Sequence, residues 1–401
     1  MLLIKKMQIN INKKIVYFLE KGIKSGTTLL AIQGGRRAGK TFNILQWLLL
    51  RMWNEGEQII TASMTQDQGR EGAYSDCKEI LRLWQPLDNY YEVLKQPREI
   101  TCVRNNTPNG KNGKMIFRSY QDAETAKGGA CDWVFINEGN KFSKQQYLDL
   151  SANARKGVIV DFNPNEHFWV DEFLTEDKIL KLTWQDNIRH LTDAQLRWFE
   201  TLKTKAFAPT ATDVDRYYYK VYYLGEYAEI GGEIFTKENI HVINEPPSTF
   251  DFIVIFSDPS SLRGADWFAN VVVGVKDGKF YILETFSINQ GRKEEVARWA
   301  KEKLLEYENA RFFVETNGLI GTDFYEFCQR SDLPVEAWYS TANKFDRIIA
   351  KYEDITSNTY FVETEALDQY LEQIFTFNKR CEHDDNIDAV ASAITILKIM
   401  Q

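Results

Sequence analysis

Short apolar runs alternate with longer amphipathic stretches along most of the chain, a pattern that predicts strands and helices in turn rather than blocks of either. The pattern predicts a strand over 28–33, a helix over 40–54, a strand over 58–63 and a helix over 67–84. Further strands are predicted near 99–104 and 114–119 and over 132–137, then a helix over 143–155 and a strand over 157–162. Helical segments rich in Trp and Tyr continue to about residue 224, and a turn-prone stretch with Pro246 and Pro247 follows. A second block opens with DFIVIFSD at 251–258. NVVVGV (270–275) and KFYILETF (279–286) flank Asp277-Gly278, a dipeptide that accepts the positive φ of a tight hairpin. The block ends with a helix over 292–309, a strand over 311–315, a helix over 321–330, a strand over 335–339, a helix over 343–356, a strand over 359–363 and helices over 366–377 and 385–400.

This pattern predicts an α/β chain of two domains, 1–230 and 250–401, joined by a linker at 231–249. The length, 401 residues, is too great for one comfortable core and agrees with that division. Composition adds little, because 44% hydrophobic and 26% charged residues are ordinary for a globular protein. No apolar run approaches a membrane span and the first residues lack the design of a cleavable signal, so no membrane role is expected. Cys77, Cys102, Cys131, Cys328 and Cys381 are scattered, which suggests free thiols in a reducing cytoplasm. The net charge of −8 argues against a protein that coats nucleic acid over its whole surface, but leaves room for a local basic groove.

The sharpest chemical signal is Gly34-Gly35-Arg36-Arg37-Ala38-Gly39-Lys40-Thr41, a full match to GxxxxGK(S/T) between a predicted strand and a predicted helix. Glycines let backbone N–H groups curl around phosphates, and a helix N-terminus adds positive potential. Lys40 is then the group that neutralises the β- and γ-phosphates of ATP, and Thr41 offers its hydroxyl to Mg²⁺. A plain glycine turn before a helix is the alternative, and the complete motif in its required context outweighs it. In CDWVFINEGNKF (131–142) an apolar strand ends at Asn137-Glu138, where such enzymes hold Mg²⁺ and orient the attacking water. Glu138 is the candidate base. Asn137 stands where an aspartate is more usual, and can accept a bond from metal-bound water without carrying charge. Asp161-Phe162-Asn163-Pro164 follows the next strand; Asn163 either senses the γ-phosphate and couples hydrolysis to movement, or belongs to a strand-ending turn. Arg36 either stabilises the transferring phosphate or pairs with an acid from another element.

In the second block, three strands followed by alternating helix and strand is the element order of a ribonuclease-H-like domain. Phosphodiester hydrolysis on such a sheet needs three or four carboxylates around two divalent ions roughly 3.5–4 Å apart. Asp258 and Glu315 end two predicted strands, and Asp385 and Asp388 open the last predicted helix, three residues apart and so on one face. Taken singly, each is more commonly a strand-end acid or a helix cap than a metal ligand, and capping is a sufficient explanation for Asp384 and Asp385 above all. Their joint order favours a metal site. His383 is either a further ligand or a turn residue, and Asp266 is a weaker outer candidate. Lys344 and Arg347, one turn apart, either contact a phosphate backbone or form a solvated helix face.

GGRRAGKT, VFINEGN, DFNPNEHFWV and YLGEYAEIGGEIF, in that order, resemble the large subunit of tailed-bacteriophage terminases, in the branch with Asn-Glu at its Walker B strand. The D-x-x-D-A run at 385–389 is similar to terminase nucleases and to Holliday-junction resolvases of the same superfamily. The resemblance spans both blocks and implies a P-loop NTPase with a mostly parallel sheet, then a ribonuclease-H-like mixed sheet flanked by helices. It implies ATP hydrolysis that translocates viral double-stranded DNA into a procapsid, and an endodeoxyribonuclease that makes the cuts beginning and ending packaging. Mg²⁺ is implied in both sites, with Mn²⁺ a substitute in the nuclease. The implied partners are a small terminase subunit, a portal protein and further copies of the chain in a ring on the portal. The implied place is the host cytoplasm and, transiently, the procapsid portal, not the mature virion. Two rivals fit less well. An ATP-dependent helicase-nuclease of DNA repair needs a second motor core that residues 165–250 do not display, and a non-catalytic assembly scaffold has no use for intact Lys40, Thr41, Glu138 and the carboxylates.

Overall fold

In a computed structural model, residues 10–64, 72–84, 90–96, 98–102, 110–120, 129–231, 234–260, 267–289, 292–340, 344–378, 381 and 383–401 are described. The chain divides into two compact units, Met1–Glu229 and Ile230–Gln401.

In the first unit the apolar runs become β1 (Leu29–Gly34), β2 (Gln58–Ser63), β3 (Tyr91–Leu94), β4 (Glu99–Cys102), β5 (Lys114–Ser119), β6 (Cys131–Ile136), β7 (Ala154–Phe162) and β8 (Leu180–Leu182). Among the described residues these form one sheet in the order β3-β4-β5-β2-β6-β7-β1-β8. Pairing is parallel from β5 through to β8, while β3 and β4 add an antiparallel edge. β1 is buried along its whole length, as a strand covered on both faces must be. Its side chains alternate between two cores: Leu30 and Ile32 join the helices Lys13–Lys24, Lys40–Glu55 and Ala73–Leu83 on one face, and Leu29 and Ala31 join Tyr147, Leu150 and Trp169 on the other. β7 runs between β6 and β1, parallel to both, so the carboxyl ends of all three strands meet at one edge.

The second unit contains β9 (His241–Ile243), β10 (Phe252–Asp258), β11 (Trp267–Lys276), β12 (Lys279–Asn289), β13 (Ala310–Glu315), β14 (Val335–Trp338) and β15 (Thr359–Val362). Among the described residues the order is β14-β13-β10-β11-β12-β15-β9. β10, β11 and β12 are successively antiparallel, β13 and β14 extend the sheet parallel to β10, and β15 and β9 extend it parallel to β12. The expected hairpin is present, with φ of 48° at Asp277 and 73° at Gly278. Helices Lys293–Glu306 and Leu319–Arg330 cover Ile255, Phe312 and Val314. The two-residue period turns Val254 and Phe256 to the other face, where the helix Asp385–Met400 packs on β10 and β11. Small residues allow that close approach: Ala389, Ala391 and Ala393 are all buried.

Two stretches differ from the sequence expectation. Much of 231–249 belongs to the second unit: Ile234 and Phe235 are buried, Phe235 packs against Tyr352 and Phe377, and His241–Ile243 forms β9 beside β15. The single helix expected over 343–356 is two, Lys344–Ile349, which buries Ile348 and Ile349, and Tyr352–Asn358, which buries Ile355. Part of the helix expected over 67–84 lies outside the described residues, and Ala73–Leu83 is its described portion. No described helix is long and apolar enough to cross a membrane.

Candidate nucleotide and metal sites

Between β1 and the helix Lys40–Glu55, Arg37 and Gly39 take left-handed backbone, with φ of 62° and 77°. Glycine accepts that conformation freely, whereas at Arg37 it is held against its preference, with Asn187 Nδ2 donating to the Arg37 carbonyl at 3.0 Å. Gly35 is required for another reason: a Cβ there would lie 2.2 Å from the Tyr222 carbonyl oxygen. The Arg36 guanidinium rests 4.9 Å above the Tyr222 ring.

Lys40 points back under the loop. Its Nζ donates to the carbonyls of Gly34 at 2.7 Å and Gly35 at 3.1 Å, and to Asn163 Oδ1 at 3.0 Å. Burial pushes the ammonium down to about 8, although Asp161 and Glu138 oppose the shift. Thr41 Oγ1 donates to Asp161 Oδ2 at 2.5 Å and lies 3.4 Å from Asn137 Oδ1. Asp161 Oδ1 also accepts the Glu138 N–H at 3.0 Å. Burial raises the Asp161 carboxyl, while Lys40 and the Thr41 and Glu138 hydrogen bonds pull it down. Glu138 has φ 59°, and its carboxylate is paired with Lys141 at 2.7 Å. A cavity of about 420 Å³ opens beside the loop, lined by Arg37 to Asn43 with Asp76, Trp84 and Asn187. Burial, with Asp161 nearby, pushes Asp76 up to about 6 against the pull of Arg37.

The structure therefore brings Lys40, Thr41, Asn137, Glu138 and Asn163 together. Asp161 stands at their centre. Sequence reasoning placed it in a motif and gave it no part; its signal was an acid inside an otherwise apolar strand end.

In the second unit Asp258 ends β10, Glu315 ends the adjacent parallel β13, and Asp388 lies in the first turn of the helix packed across them. One carboxylate oxygen from each lies within 4.8 Å of the others. Asp385 is set beside this trio: it accepts the Trp267 N–H at 2.9 Å and Lys344 Nζ at 2.7 Å. Lys344 Nζ also lies 2.8 Å from Asp384, 3.6 Å from Asp388 and 3.8 Å from Asp258. Arg347 donates Nε to Asp388 Oδ1 at 2.5 Å and Nη2 to the other Asp388 oxygen, with Glu315 Oε1 at 3.2 Å. The two basic side chains thus sit among the acids. Asp384 occupies the N-cap position without a side-chain capping bond.

Burial, reinforced by Glu315, Asp388 and Asp385, holds the Asp258 carboxyl well above the usual range, against the pull of Lys344. Asp388 is pushed up to about 6 by burial despite Arg347 and Lys344. Burial alone would lower Lys344, yet Asp258, Asp388, Asp385 and Asp384 raise it. His383 lies outside the carboxylate trio, on a cavity of about 660 Å³ with Tyr370, Gln373 and Asn386, and its Nδ1 is buried without a hydrogen bond. Asp266 lies outside the described residues.

Residues 31–242 match the family model for the N-terminal part of the terminase large subunit, T4likevirus-type, and residues 255–396 match the terminase RNaseH-like domain. The chain belongs to the terminase large-subunit family. Its first unit is accordingly a terminase ATPase domain and its second a ribonuclease-H-like nuclease domain, so its family role is DNA packaging. A large terminase from a thermophilic bacteriophage is similar over 97% of this chain and 99% of its own, with 16% identity and a TM-score of 0.69. The ADP complex of that terminase aligns with 15% identity over 97% of this chain and 100% of its own, at a TM-score of 0.69. Its complex with ATP-gamma-S aligns over the same shares, at 15% identity and a TM-score of 0.68. At these identities the likeness is one of fold. No curated protein matches the sequence.

Proposed function

We propose that this terminase large subunit hydrolyses ATP in its first unit to translocate viral double-stranded DNA into a procapsid, and cuts DNA in its second unit with two divalent ions. The observation carrying this reading is that each family domain holds the polar group its chemistry requires. Oxygens from two strand ends, Asn137 after β6 and Asp161 in β7, meet the Thr41 hydroxyl beneath the phosphate loop, and three carboxylate oxygens lie within 4.8 Å of one another in the nuclease.

Gly34 to Thr41 form the ATP cradle, and Lys40 exchanges the Gly34 and Gly35 carbonyls for the β- and γ-phosphates. Asn163 shares Lys40, so movement of the ammonium onto phosphate alters the bond that ends β7; this is the coupling step. Glu138, on leaving Lys141, orients the attacking water and takes its proton. Thr41 and Asn137 would hold Mg²⁺, which would supply positive charge to the phosphate oxygens. The nucleotides bound by the thermophilic phage terminase support the ATP assignment by analogy of fold.

The nuclease donors are all hard oxygens, which suits Mg²⁺ or Mn²⁺, and buried Glu315 Oε1 meets the Arg347 charge without a hydrogen bond. Asp258, Glu315 and Asp388, with Asp385 alongside, would hold the ions, which would supply the charge that activates water and steadies the leaving oxygen. Lys344 and Arg347 pair with these acids and, beside bound ions, would be placed to meet the DNA phosphate backbone. The family role supports a small terminase subunit, a portal and a ring of copies as partners, working in the host cytoplasm at the procapsid portal and leaving before virion maturation.

The test pairs DNA-dependent ATPase activity with metal-dependent plasmid cleavage in the full chain. Both activities are expected. A folded chain with neither would overturn the reading and leave an assembly scaffold.

A further inference from the structure

We infer that Asp161 supplies the negative charge that Asn137 lacks, so that the Mg²⁺–nucleotide is ordered from the strand between the loop strand and the Asn-Glu strand. The inference deepens the ATPase reading and rests on it.

A divalent ion on a triphosphate is held where a loop hydroxyl meets an acid at a neighbouring strand end. Here the first position after β6 holds the neutral Asn137, whose amide oxygen is 3.4 Å from Thr41 Oγ1, longer than a good O–H···O bond, and the Glu138 carboxylate beside it is paired with Lys141. Asp161 Oδ2 makes that bond at 2.5 Å instead. Its other oxygen fixes the backbone N–H of Glu138 at 3.0 Å. One carboxylate therefore ties the loop hydroxyl to the residue that orients water.

The topology explains how it reaches both. β7 is hydrogen-bonded to β1 on one side and β6 on the other, and Asp161 pairs with Ile32, two residues before Gly34. An acid at this register projects into the gap between the loop and Glu138. It is also an unfavourable place for an acid. Asp161 is 2% exposed, its hydrogen bonds come from a neutral hydroxyl and a backbone amide, and the nearby Lys40 directs its three donors to Gly34, Gly35 and Asn163. A carboxylate buried without a directly bonded cation is destabilising, and a bound divalent ion removes that penalty. Two residues further on, the same strand leads into Asn163, which reads Lys40. Strand β7 thus carries both a metal-facing charge and a phosphate-facing amide.

The experiment uses the full chain with ADP and Mn²⁺ as probes. ADP affinity is measured in EDTA by calorimetry, and Mn²⁺ affinity in saturating ADP by electron paramagnetic resonance. Asp161→Asn should weaken Mn²⁺ binding to the ADP-bound chain by about 10–100-fold, the usual scale for losing a metal-orienting carboxylate. Its EDTA-state ADP affinity should stay within about threefold of the starting protein, since no metal contributes there. The double variant D161N/N137D, which moves the charge to the usual strand, should recover most of the Mn²⁺ affinity. A merely structural Asp161 would give no such recovery. Unchanged Mn²⁺ affinity in D161N, or a folded double variant as weak as D161N, overturns the inference. If D161N alone does not fold, the double variant decides on the same criterion. Failure of the unaltered chain to bind ADP at all would sink the ATPase reading itself, before any variant is made.

Discussion

In the first unit one lysine, Lys40, is held by two carbonyls and an amide beside a single deeply buried aspartate, whereas in the second five carboxylates crowd around Lys344 and Arg347. The lysine's partners are neutral dipoles, which a phosphate outcompetes without leaving a bare charge behind. The nuclease acids are paired with full charges, so an arriving cation must displace another cation. On the proposed reading, the ATPase site would receive an anion carrying its own metal, and the nuclease site would receive metal alone. That difference makes the two sites separable by substitution.

The largest expected effect is a clean crossing of activities. Lys40→Ala should reduce ATP hydrolysis by on the order of 10²–10³-fold and leave metal-dependent plasmid nicking intact. Asp258→Ala should do the reverse in both Mg²⁺ and Mn²⁺. Loss of both activities in either variant would break the comparison. Glu138→Gln sharpens the motor side: nucleotide should still bind, while turnover falls by roughly 10²-fold. Loss of binding without a specific loss of turnover would make Glu138 structural.

A packing test comes next. Phe235→Ala should cost about 3–5 kcal/mol in urea unfolding of the second unit, because the ring is fully buried against Tyr352 and Phe377. A fragment 230–401 should likewise outlast one starting at 245, which lacks β9. Equal stability would return that stretch to the status of a linker.

The smallest effect is electrostatic. Asp258 ionises near 3.8 when unfolded and well above that when folded. The unfolded chain therefore gives up this proton first, and metal-free stability falls as pH rises from about 4 through the folded value. Asp258→Asn removes the penalty. The variant should melt roughly 2–4 °C above the unaltered protein at pH 8 without metal, with the gap closing toward pH 4. Added Mn²⁺ should raise only the unaltered protein. A variant that melts lower at pH 8 would show that Lys344 over-compensates the acids.

What was legible in the sequence was whatever is local. The phosphate loop, the Asn137-Glu138 strand end and the Asp277-Gly278 hairpin each declare themselves within a dozen residues, and the element order carried both folds. What was hidden depends on distant partners. Strand β9 is three residues long and gains its meaning from β15, over a hundred positions on. For Lys344 and Arg347, a phosphate contact and a solvated helix face stayed open together, because the acids they meet lie 32 or more residues away. Asp161 drew no role from its motif, since only the order β6-β7-β1 sets it between Thr41 and Glu138. The break between the helices Lys344–Ile349 and Tyr352–Asn358 was masked by a continuous apolar stripe.

The helix Asp385–Met400 also bears on the order of events as the chain folds. Asp388 follows Asp258 by 130 positions (388 − 258) and must cross the finished β10–β11 pair to reach it. Contacts of such long sequence separation form late, after the hairpins and the neighbouring parallel strand. Until this helix docks, the apolar faces of β10 and β11 await their cover, and the trio is short of its third acid. A partly collapsed chain therefore exposes apolar strand faces before its carboxylate trio is complete, and docking of the one helix ends both conditions together.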